Sequence, residues 1–555
     1  MAAHLTFNKH GVSEPRNFDL MSDLFPPQFS IMMKHPLLSL SAVVMIALST
    51  APIVSSAATS TNDALRDEAI VGLKRAATYF RAHAASHGGY VYFVSLDGKE
   101  HVGEGIATPD QIFTEPPGTP AVGRAYLEAF TATGDQFYFD AAIETGHALI
   151  HGQLESGGWS QRIDFNPEGT HVGLYRDGTG AKQAGDPNKK ANPNNSSLDD
   201  NQTQSSIQFL TRLDQTLKFK DETVHNAVLY ALDHLLTAQF PNGAFPQGWN
   251  QPVKAYPVLK ANYPKEWNHV WPHEEYYKYY TLNDGLVGTV SDTLLIAYDI
   301  YGDKRYYDAI AKLGDFLILA QMPDPQPAWC QQYDYDMQPT WARKFEPPAV
   351  CGFESEDAIK TLMKIYRVTG DRKYLAPIPK ALAYMRTCVL PDGMMARYYE
   401  LKTNRPLYMT RKPGVSGASN APGYYDLTYE DKNLPKHYGW KKVPRLDAIA
   451  KEYEALAAGA REPARALQRF TTDGKLVAVD PTEANASPSA AVLAPQVRQI
   501  LGDLDAAGRW VEVYDGTTRL VGQPRFAKGF RFMASSTFNY NVEILSEYIA
   551  ATKTP

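Results

Sequence analysis

Hydrophobic residues recur along this chain at the three- and four-residue spacing of one face of an α-helix. The first such stripe covers residues 65–80, and similar stripes begin at Val224, Leu294 and Ile359. This spacing places apolar side chains on one side of a helix, where they can pack against a neighbouring helix. No clear strand–turn–strand pattern competes with the stripes. The pattern therefore predicts an all-α protein.

A Gly-Asp pair recurs between the predicted helices. It lies in residues 133–142, 301–310 and 369–378, and a more divergent copy without the glycine begins at Phe219. Glycine ends a helix readily because it adopts the left-handed conformation, and the Asp that follows can cap the next helix. The repeat predicts a series of helical hairpins.

A glycine turn, in most copies followed by an aromatic residue, comes after each predicted hairpin. The copies are Gly88-Gly89-Tyr90, Gly157-Gly158-Trp159, Gly243-Ala244-Phe245 and Gly393-Met394-Met395. We expect the aromatic side chains to offer a ligand a flat contact face. Hairpins arranged around a centre bring their inner-helix loops to one face. We therefore predict an (α/α) toroid, or incomplete α/α barrel, with a wide substrate cleft, and surface loops at residues 186–197 and 473–490.

Composition excludes several classes of protein. The 555 residues include 55 basic and 61 acidic side chains, a net charge of -6, so the basic excess typical of nucleic-acid binding is absent. The three cysteines rule out a disulfide-dense scaffold, although Cys330 and Cys351 could pair in an oxidising compartment. The sequence has no phosphate-binding glycine loop, Cys-x-x-Cys pair or Gly-x-Ser-x-Gly elbow.

The N-terminal region resembles an export signal. A short basic segment after Met33 is followed by an apolar run and by small residues, with cleavage expected near Ala57 or Ala58. A membrane anchor is the alternative, but serines and prolines interrupt the apolar run. We divide the chain into an upstream segment 1–33, which a misassigned start would explain, a signal 34–58 and a single mature domain 59–555.

Several charged side chains stand where helix boundaries are expected. Asp199, Asp200 and Asp284 offer the oxygen donors that calcium prefers, although an Asp before a helix is more often a cap. Three arginines can bind carboxylates of an acidic ligand or form structural ion pairs: Arg343, Arg397 and Arg411.

Five polar segments together resemble polysaccharide lyase family 10, the all-helical pectate lyases. They are residues 199–204, 243–247, 281–285, 329–347 and 397–411. The most specific motifs are Trp-Cys-Gln-Gln-Tyr-Asp, Ala-Arg-Lys-Phe-Glu-Pro and Tyr-Glu-Leu-Lys-Thr-Asn-Arg-Pro. The resemblance implies an (α/α) toroid that cleaves polygalacturonate by calcium-assisted β-elimination and leaves 4,5-unsaturated oligogalacturonides.

The resemblance also implies roles for individual residues. Arg343 matches the family's catalytic base, and Asp284 matches a calcium ligand. Asp199 matches the second ligand, but Asp200 is an alternative because this chain has Asp-Asp-Asn where the family usually has Asp-Asn. The residues implied in substrate binding are Arg411, which grips a substrate carboxylate, Arg397, Asn201 and Asn283.

The least ordinary of these roles is that of the base. Elimination removes the C5 proton of a uronate, whereas a guanidinium normally keeps its own proton, with a pKa above ~12. We expect calcium, Arg397, Arg411 and burial to lower the pKa of Arg343 and to give an alkaline optimum. The chain departs from the family in an insertion at residues 252–271 and in Gly-Ala-Phe for Gly-Gly-Trp, which leaves its subsite preference open.

Two other functions remain as alternatives. An inverting glycoside hydrolase on a similar toroid would use two carboxylates, such as Asp284 with Asp334 or Glu346. A non-catalytic uronan-binding protein would only capture the polysaccharide. For the lyase we expect a pectic polysaccharide as partner, no nucleic acid, no membrane after signal cleavage, a monomeric state, and a location in the periplasm or outside the cell.

Overall fold

The structure is a computed structural model that describes residues 55–180, 193–272, 274–411, 425–435, 438–459, 468–470, 476–478, 488–516 and 526–553. The predicted signal lies outside this part of the chain except for its last residues, which begin the first helix. The predicted loops 186–197 and 473–490 lie partly outside it. In the described ranges, no helix is both long and apolar enough to cross a membrane.

Helices dominate the described residues. The α-helices are α1 (Ser55–His83), α2 (Thr119–Thr133), α3 (Gln136–His151), α4 (Gln202–Thr216), α5 (Glu222–Thr237), α6 (Leu286–Tyr301), α7 (Lys304–Ala320), α8 (Gly352–Thr369), α9 (Ile378–Thr387), α10 (Leu446–Ala457), α11 (Ala490–Gly502) and α12 (Ser535–Ala551). Short 3₁₀ helices are Asp199–Asn201, Tyr276–Lys278, Asn283–Gly285 and Arg372–Tyr374.

The strands are short and lie in the connections between helices. They are β1 (Phe93–Ser95), β2 (His101–Val102), β3 (Ile106–Ala107), β4 (Gln111–Phe113), β5 (Arg162–Asp164), β6 (Ser196–Ser197), β7 (Gly248–Trp249), β8 (Tyr280–Thr281), β9 (Gln332–Tyr333), β10 (Val350–Cys351), β11 (Met395–Ala396), β12 (Tyr398–Tyr399), β13 (Pro406–Arg411), β14 (Tyr425–Thr428), β15 (Lys441–Lys442), β16 (Gln468–Phe470), β17 (Leu476–Ala478), β18 (Glu512–Val513) and β19 (Arg531–Ala534). The larger sheets have the strand orders β18-β19-β1-β2-β3 and β10-β12-β13-β14. Their pairs are antiparallel, with registers such as Phe93 opposite Ala534 and Tyr408 opposite Thr428.

The helices form two layers. In the inner layer α12 packs on α2, α2 on α4, α4 on α6 and α6 on α8. Each inner helix packs against an outer one, in the pairs α2 with α3, α4 with α5, α6 with α7, α8 with α9 and α12 with α11. Helix pairs that follow one another around a curved inner layer are the architecture of an α/α toroid, so the predicted fold class is confirmed.

The Gly-Asp repeat forms the turns within the hairpins. Gly134 and Gly302 end α2 and α6 in the left-handed conformation, with φ of 76° and 69°. The side chains of Asp135 and Asp303 then accept hydrogen bonds from the first turns of α3 and α7. The divergent copy acts in the same way, since Asp221 caps α5. The sequence repeat is thus a structural repeat of helix end and helix cap.

The glycine turns after the outer helices differ from expectation in one respect. Gly88, Gly157, Gly243 and Gly393 all have positive φ, as tight turns require. The aromatic residues beside them, Tyr90, Trp159 and Phe245, are buried in the core. The prediction that they offer a contact face to a ligand was wrong. Large side chains fill the space between the two helical layers of a toroid, and these rings are among them.

The inner helices begin at one common face of the toroid. The side-chain amide of Gln202, in the first turn of α4, donates to Glu115, just before α2, over 3.0 Å. Asn539 of α12 donates to the carbonyl of Pro117 over 3.0 Å. The 3₁₀ turns that precede α4 and α6 contact each other, and α8 contacts the second of them. The loops at this face therefore bring together residues distant in sequence.

Candidate functional site

Asp200 and Asp284 lie in matching 3₁₀ turns immediately before α4 and α6. Asp200 has φ 42° and ψ 34°, and Asp284 has φ 50° and ψ 35°. The next residues, Asn201 and Gly285, are also left-handed, with φ of 64° and 70°. Left-handed backbone is tolerated best by Gly, Asn and Asp, which explains the residue types at these four positions. Asp200 is therefore the structural equivalent of Asp284.

The two turns create a cluster of carboxylates. Oxygen atoms of Asp199, Asp200 and Asp284 lie within 4.8 Å of one another. The three aspartates predicted as metal ligands are thus brought together, although 85 residues separate the first from the last in numbering. Asp199 lies next to the like charge of Asp200. Burial and the Asp200 carboxylate raise the pKa of Asp199 well above its usual range, and Arg343 opposes this effect.

Capping does not account for these aspartates. The N-cap residues of α4 and α6 are Asn201 and Gly285, and Asn201 makes no side-chain capping bond. Instead, the Asn283 amide donates to Oδ2 of Asp284 over 2.7 Å. The carboxylates are directed toward each other across the turns, which like charges avoid unless a cation compensates them.

The donor set around the cluster fits a hard cation. Three buried side-chain oxygens in these turns have no hydrogen-bond partner within the described part of the chain: Asp199 Oδ1, Asn201 Oδ1 and Asn283 Oδ1. Gln247, whose carbonyl accepts the Leu198 N–H at the base of the first turn, also has an unpartnered Oε1. Buried oxygens without donors are costly, and oxygen-only coordination is what calcium prefers. The residues present therefore fit a calcium ion.

Arg343 lies beside this cluster and is buried. Its Nη2 is 2.9 Å from Asp284 Oδ2 and 2.8 Å from Glu346 Oε1. Burial lowers the pKa of Arg343, but Glu346, Asp284 and Asp199 outweigh it and hold that pKa well above its usual value. The expected lowering is therefore reversed for the groups that the structure describes. Anionic neighbours, not Arg397 and Arg411, dominate the local field.

Arg397 approaches the same aspartate from another side. Its Nη2 lies 3.7 Å from Asp284 Oδ1 and 3.3 Å from Glu354 Oε1. Its guanidinium carbon lies 4.3 Å from the centre of the Tyr438 ring. Arg397 is buried, and its Nε has no hydrogen-bond partner among the described residues. An arginine keeps its charge even when buried, so Arg397 supplies positive charge next to Asp284.

Arg411 lies farther out. It occupies the exposed end of β13, where it pairs with Tyr425 of β14. Its guanidinium carbon is 6.0 Å from the Tyr425 ring, and that ring is 5.6 Å from the ring of Phe345. Tyr425 thus separates Arg411 from the segment that carries Arg343. Residues 412–424, which follow Arg411, lie outside the described residues.

A second group of acidic residues at this face escaped the sequence analysis. Carboxylate oxygens of Glu104, Glu115 and Asp200 also lie within 4.8 Å of one another. Burial, Asp200 and Asp199 raise the pKa of Glu104 well above its usual range. Glu115 stands before α2 as the aspartates stand before α4 and α6, so its place before an inner helix was a usable signal. Glu104 follows a short strand and offered none.

Arg343 is supported by a buried network of side chains. Glu346 Oε1 accepts from Arg343 Nε over 2.9 Å and from the Tyr438 hydroxyl over 2.8 Å. The hydroxyls of Tyr438 and Tyr398 lie 2.8 Å apart, and Tyr398 donates to Gln331 over 2.6 Å. Arg343 holds the pKa of the Glu346 carboxyl below its usual range, against burial, which raises it. Glu346 therefore remains ionised and fixes the guanidinium.

The cysteines take no part in a disulfide. Cys330, Cys351 and Cys388 are free and buried. The bridge between Cys330 and Cys351 that the sequence permits is therefore not formed, although Cys330 bridges to Val350 through the backbone. The Cys351 thiol instead contacts the Glu354 carboxylate.

Comparison with known proteins finds a family model that matches part of the chain. Residues 153–371 match the family described as pectic acid lyase, which confirms the resemblance to pectate lyases. No curated protein sequence matches the chain. A mutant family 10 polysaccharide lyase from Cellvibrio cellulosa in complex with trigalaturonic acid is similar in structure, with 17% identity over 61% of this chain and 98% of that chain and a TM-score of 0.39. Cellobiose 2-epimerase from Bacillus thermoamylovorans has 14% identity over 88% of this chain and 99% of its own, with a TM-score of 0.39.

Proposed function

Because residues 153–371 match the pectic acid lyases, we propose that this polysaccharide lyase cleaves α-1,4-linked polygalacturonate by calcium-assisted anti β-elimination. The products would be 4,5-unsaturated oligogalacturonides. One observation carries the proposal beyond the family match. Arg343 forms a salt bridge with Asp284, one of three aspartates whose oxygens lie within 4.8 Å of one another. The proposed cation site and the proposed base are thus adjacent.

In the proposed mechanism the chain first holds the uronate carboxylate. Arg397, buried against Asp284 and Glu354, contributes positive charge beside it. Arg411 contacts a neighbouring sugar carboxylate from the exposed end of β13. Asn201 and Asn283 orient the sugar from the turns before α4 and α6. These contacts place the C5 hydrogen toward Arg343.

Asp200 and Asp284, with Asp199, are the residues that would hold calcium. When bound, the ion would supply positive charge for the enolate that develops at the uronate carboxylate and would offset the anions that raise the pKa of Arg343. Arg343 then accepts the C5 proton, while Glu346 keeps the guanidinium in place. The bond between C4 and the glycosidic oxygen breaks as the C4–C5 double bond forms, and the departing oxygen takes a proton from water. We expect an alkaline optimum, since a guanidine must be neutral to act.

The geometry favours elimination over hydrolysis. Asp284 Oδ2 and Glu346 Oε1 bind the same Nη2 of Arg343, which brings these carboxylates closer than the ~6.5–9.5 Å of an inverting pair. Asp334 accepts the N–H groups of Asp336 and Gln338 in a turn. The pair of Asp284 and Glu346 therefore lacks the separation that an inverting hydrolase needs for its water.

We also propose that the enzyme is exported. Residues 34–58 would act as the signal and residues 59–555 as a monomeric catalytic domain.

The alternative of a non-catalytic uronan-binding protein would need the same arginines but no base next to a cation site.

The deciding experiment is ultraviolet absorbance during incubation of the mature protein with polygalacturonate at alkaline pH. A rise that depends on calcium and stops with chelator is expected, because the unsaturated product absorbs and a hydrolytic product does not. New reducing ends without absorbance would show hydrolysis instead. Binding without new ends would leave only capture of the polysaccharide.

A further inference from the structure

Residues 252–271, here called the strap, cross the surface beside the site without forming a helix or strand. Hydrogen bonds anchor the strap along its length. The backbone N–H of Ala261 donates to Leu319 over 2.8 Å, and that of Asn262 to Met337 over 3.1 Å. The ring of Tyr256 stacks on that of Tyr335 with 3.7 Å between centres. The strap is therefore a fixed element, although it resembles a loop in sequence.

The end of the strap is joined to the segment that carries Arg343 by indole N–H groups. Trp267 donates to the carbonyl of Pro348 over 2.8 Å, and Trp271 to the carbonyl of Ala342 over 2.8 Å. In the opposite direction, Trp341 donates to the carbonyl of Asn268 over 2.9 Å. These bonds reach both ends of the segment, residues 341–348, which has no helix or strand of its own.

The peptide group between Ala342 and Arg343 is hydrogen-bonded at both its carbonyl and its N–H. The carbonyl of Ala342 accepts from Trp271, while the N–H of Arg343 on the same peptide donates to Glu346 Oε2 over 2.9 Å. Because the peptide is planar, fixing both groups fixes its plane. The next peptide is held as well, since the Arg343 carbonyl accepts the Glu346 N–H over 2.8 Å. The two planes together set the direction in which the Arg343 side chain leaves the backbone. Glu346 then holds the far end of that side chain through Nε. The Arg343 side chain is therefore held both at its backbone end and at its guanidinium end.

We propose that Trp271 of the strap is a positioning residue for Arg343. This inference rests on the proposed function of Arg343 as the base. The indole acts through the Ala342 carbonyl and does not contact the substrate's reacting atoms. Its loss allows the 342–343 peptide to rotate and moves the guanidine away from the C5 proton. Since Trp271 is only half-buried, the fold does not depend on it as on a core tryptophan.

Trp271→Phe tests the proposal, because it removes the indole N–H and keeps an aromatic ring. Trp510→Phe is the matched control, since the Trp510 indole donates to Ile500 over 2.9 Å in a different part of the toroid. We expect kcat of Trp271→Phe to fall about 10- to 100-fold, the scale of a misplaced catalytic group. KM should stay within about twofold, because substrate binding is unchanged. Trp267→Phe, whose bond lies farther from Arg343, should lose less.

Amide hydrogen exchange over residues 341–348 provides a second readout that does not require turnover. Faster exchange there in Trp271→Phe, with the control unchanged, is the expected result. Equal exchange, or a rise in KM with kcat unchanged, would overturn the positioning role. If the wild-type protein forms no unsaturated product, the proposed function fails, while the exchange data still decide whether Trp271 holds the Arg343 segment.

Discussion

The Nη2 atom of Arg343 lies 2.9 Å from Oδ2 of Asp284, so the proposed base and a proposed calcium ligand form one buried salt bridge. Both side chains are about nine-tenths buried. Removing one partner of such a pair leaves the other charge without compensation. Cation binding at Asp284 and the protonation of Arg343 are therefore coupled, and the predictions below depend on that coupling.

Replacing Arg343 should abolish most of the turnover. For Arg343→Ala we expect kcat to fall about 10²- to 10⁴-fold, the usual contribution of a general base. Arg343→Lys should restore little, because lysine cannot bond Glu346 and Asp284 together as the guanidinium does. Arg386→Ala, at an exposed ion pair with Asp447, is the control. Near-normal turnover in Arg343→Ala would transfer the proton abstraction to another group.

The equivalence of Asp200 and Asp284 predicts which aspartates bind calcium. Asp200→Asn and Asp284→Asn should each raise the calcium concentration for half-maximal activity by more than about tenfold. Asp199→Asn should raise it less, because Asp199 lies one position before the left-handed turn. A titration of lyase activity with calcium in each variant measures the order. A stronger effect at Asp199 than at Asp200 would contradict the structural equivalence.

Calcium should stabilise the fold as well as support turnover. A ligand at 100 times its dissociation constant adds about 2.7 kcal/mol to the free energy of unfolding. The melting temperature should therefore rise with calcium in the wild-type protein and hardly change in Asp284→Asn. Asp292→Asn, a buried aspartate paired with Lys364 away from the site, is a suitable control that should keep the calcium response. A calcium response that survives in Asp284→Asn would place the ion elsewhere.

The cluster of aspartates should lower the free energy of unfolding at neutral pH when chelator is present. The pKa of Asp199 is raised by burial and by Asp200, so the folded state keeps this proton to higher pH than the unfolded state. Stability is then lost as pH rises from about 4, the pKa of an unfolded aspartate, through the folded pKa. Asp199→Asn should melt at a higher temperature than the wild type at about pH 8, and the difference should vanish below about pH 4.

The contribution of Glu346 to stability should change with pH in the opposite direction. Burial raises its pKa, but Arg343 outweighs this and lowers it, so its stabilising contribution is present above about pH 4.3 and is lost as pH falls through the folded pKa. Glu346→Gln should therefore melt at a lower temperature than the wild type at neutral pH and approach it in acid. Parallel melting curves of the two variants across pH test both signs together. The same sign in both variants would show that the charges around Arg343 are not balanced as described.

Local signals in the sequence were enough for the fold class. The helical stripes predicted α-helices, and the Gly-Asp repeat predicted the ends and caps found at Gly134, Asp135, Gly302 and Asp303. Capping and helix termination involve residues within a few positions of one another, so they can be recognised without a tertiary structure. The aromatic residues of the glycine turns were misassigned because burial depends on the second helical layer, which the local pattern does not reveal.

The residue types of the site were also recognisable from the sequence. Oxygen donors before helices and arginines in polar segments made Asp199, Asp200, Asp284, Arg343 and Arg397 candidates, and the resemblance to pectate lyases implied their roles. The sequence did not decide which of Asp199 and Asp200 is the counterpart of Asp284. That depends on which of them has the left-handed conformation that Asp284 has. Glu104 was missed, and the strap was recognised only as an insertion, for a similar reason. Both reach the site only through contacts between segments far apart in the chain.

What the sequence alone determined was therefore local: periodicity, helix ends, and the kinds of side chain that can bind calcium or a carboxylate. Only the tertiary structure decided which of them meet and what charge surrounds them. The direction of the Arg343 pKa is the clearest case, since it depends on the distances to Glu346, Asp284 and Asp199. Electrostatic interactions vary with separation and burial, and both are set by the packing of distant segments.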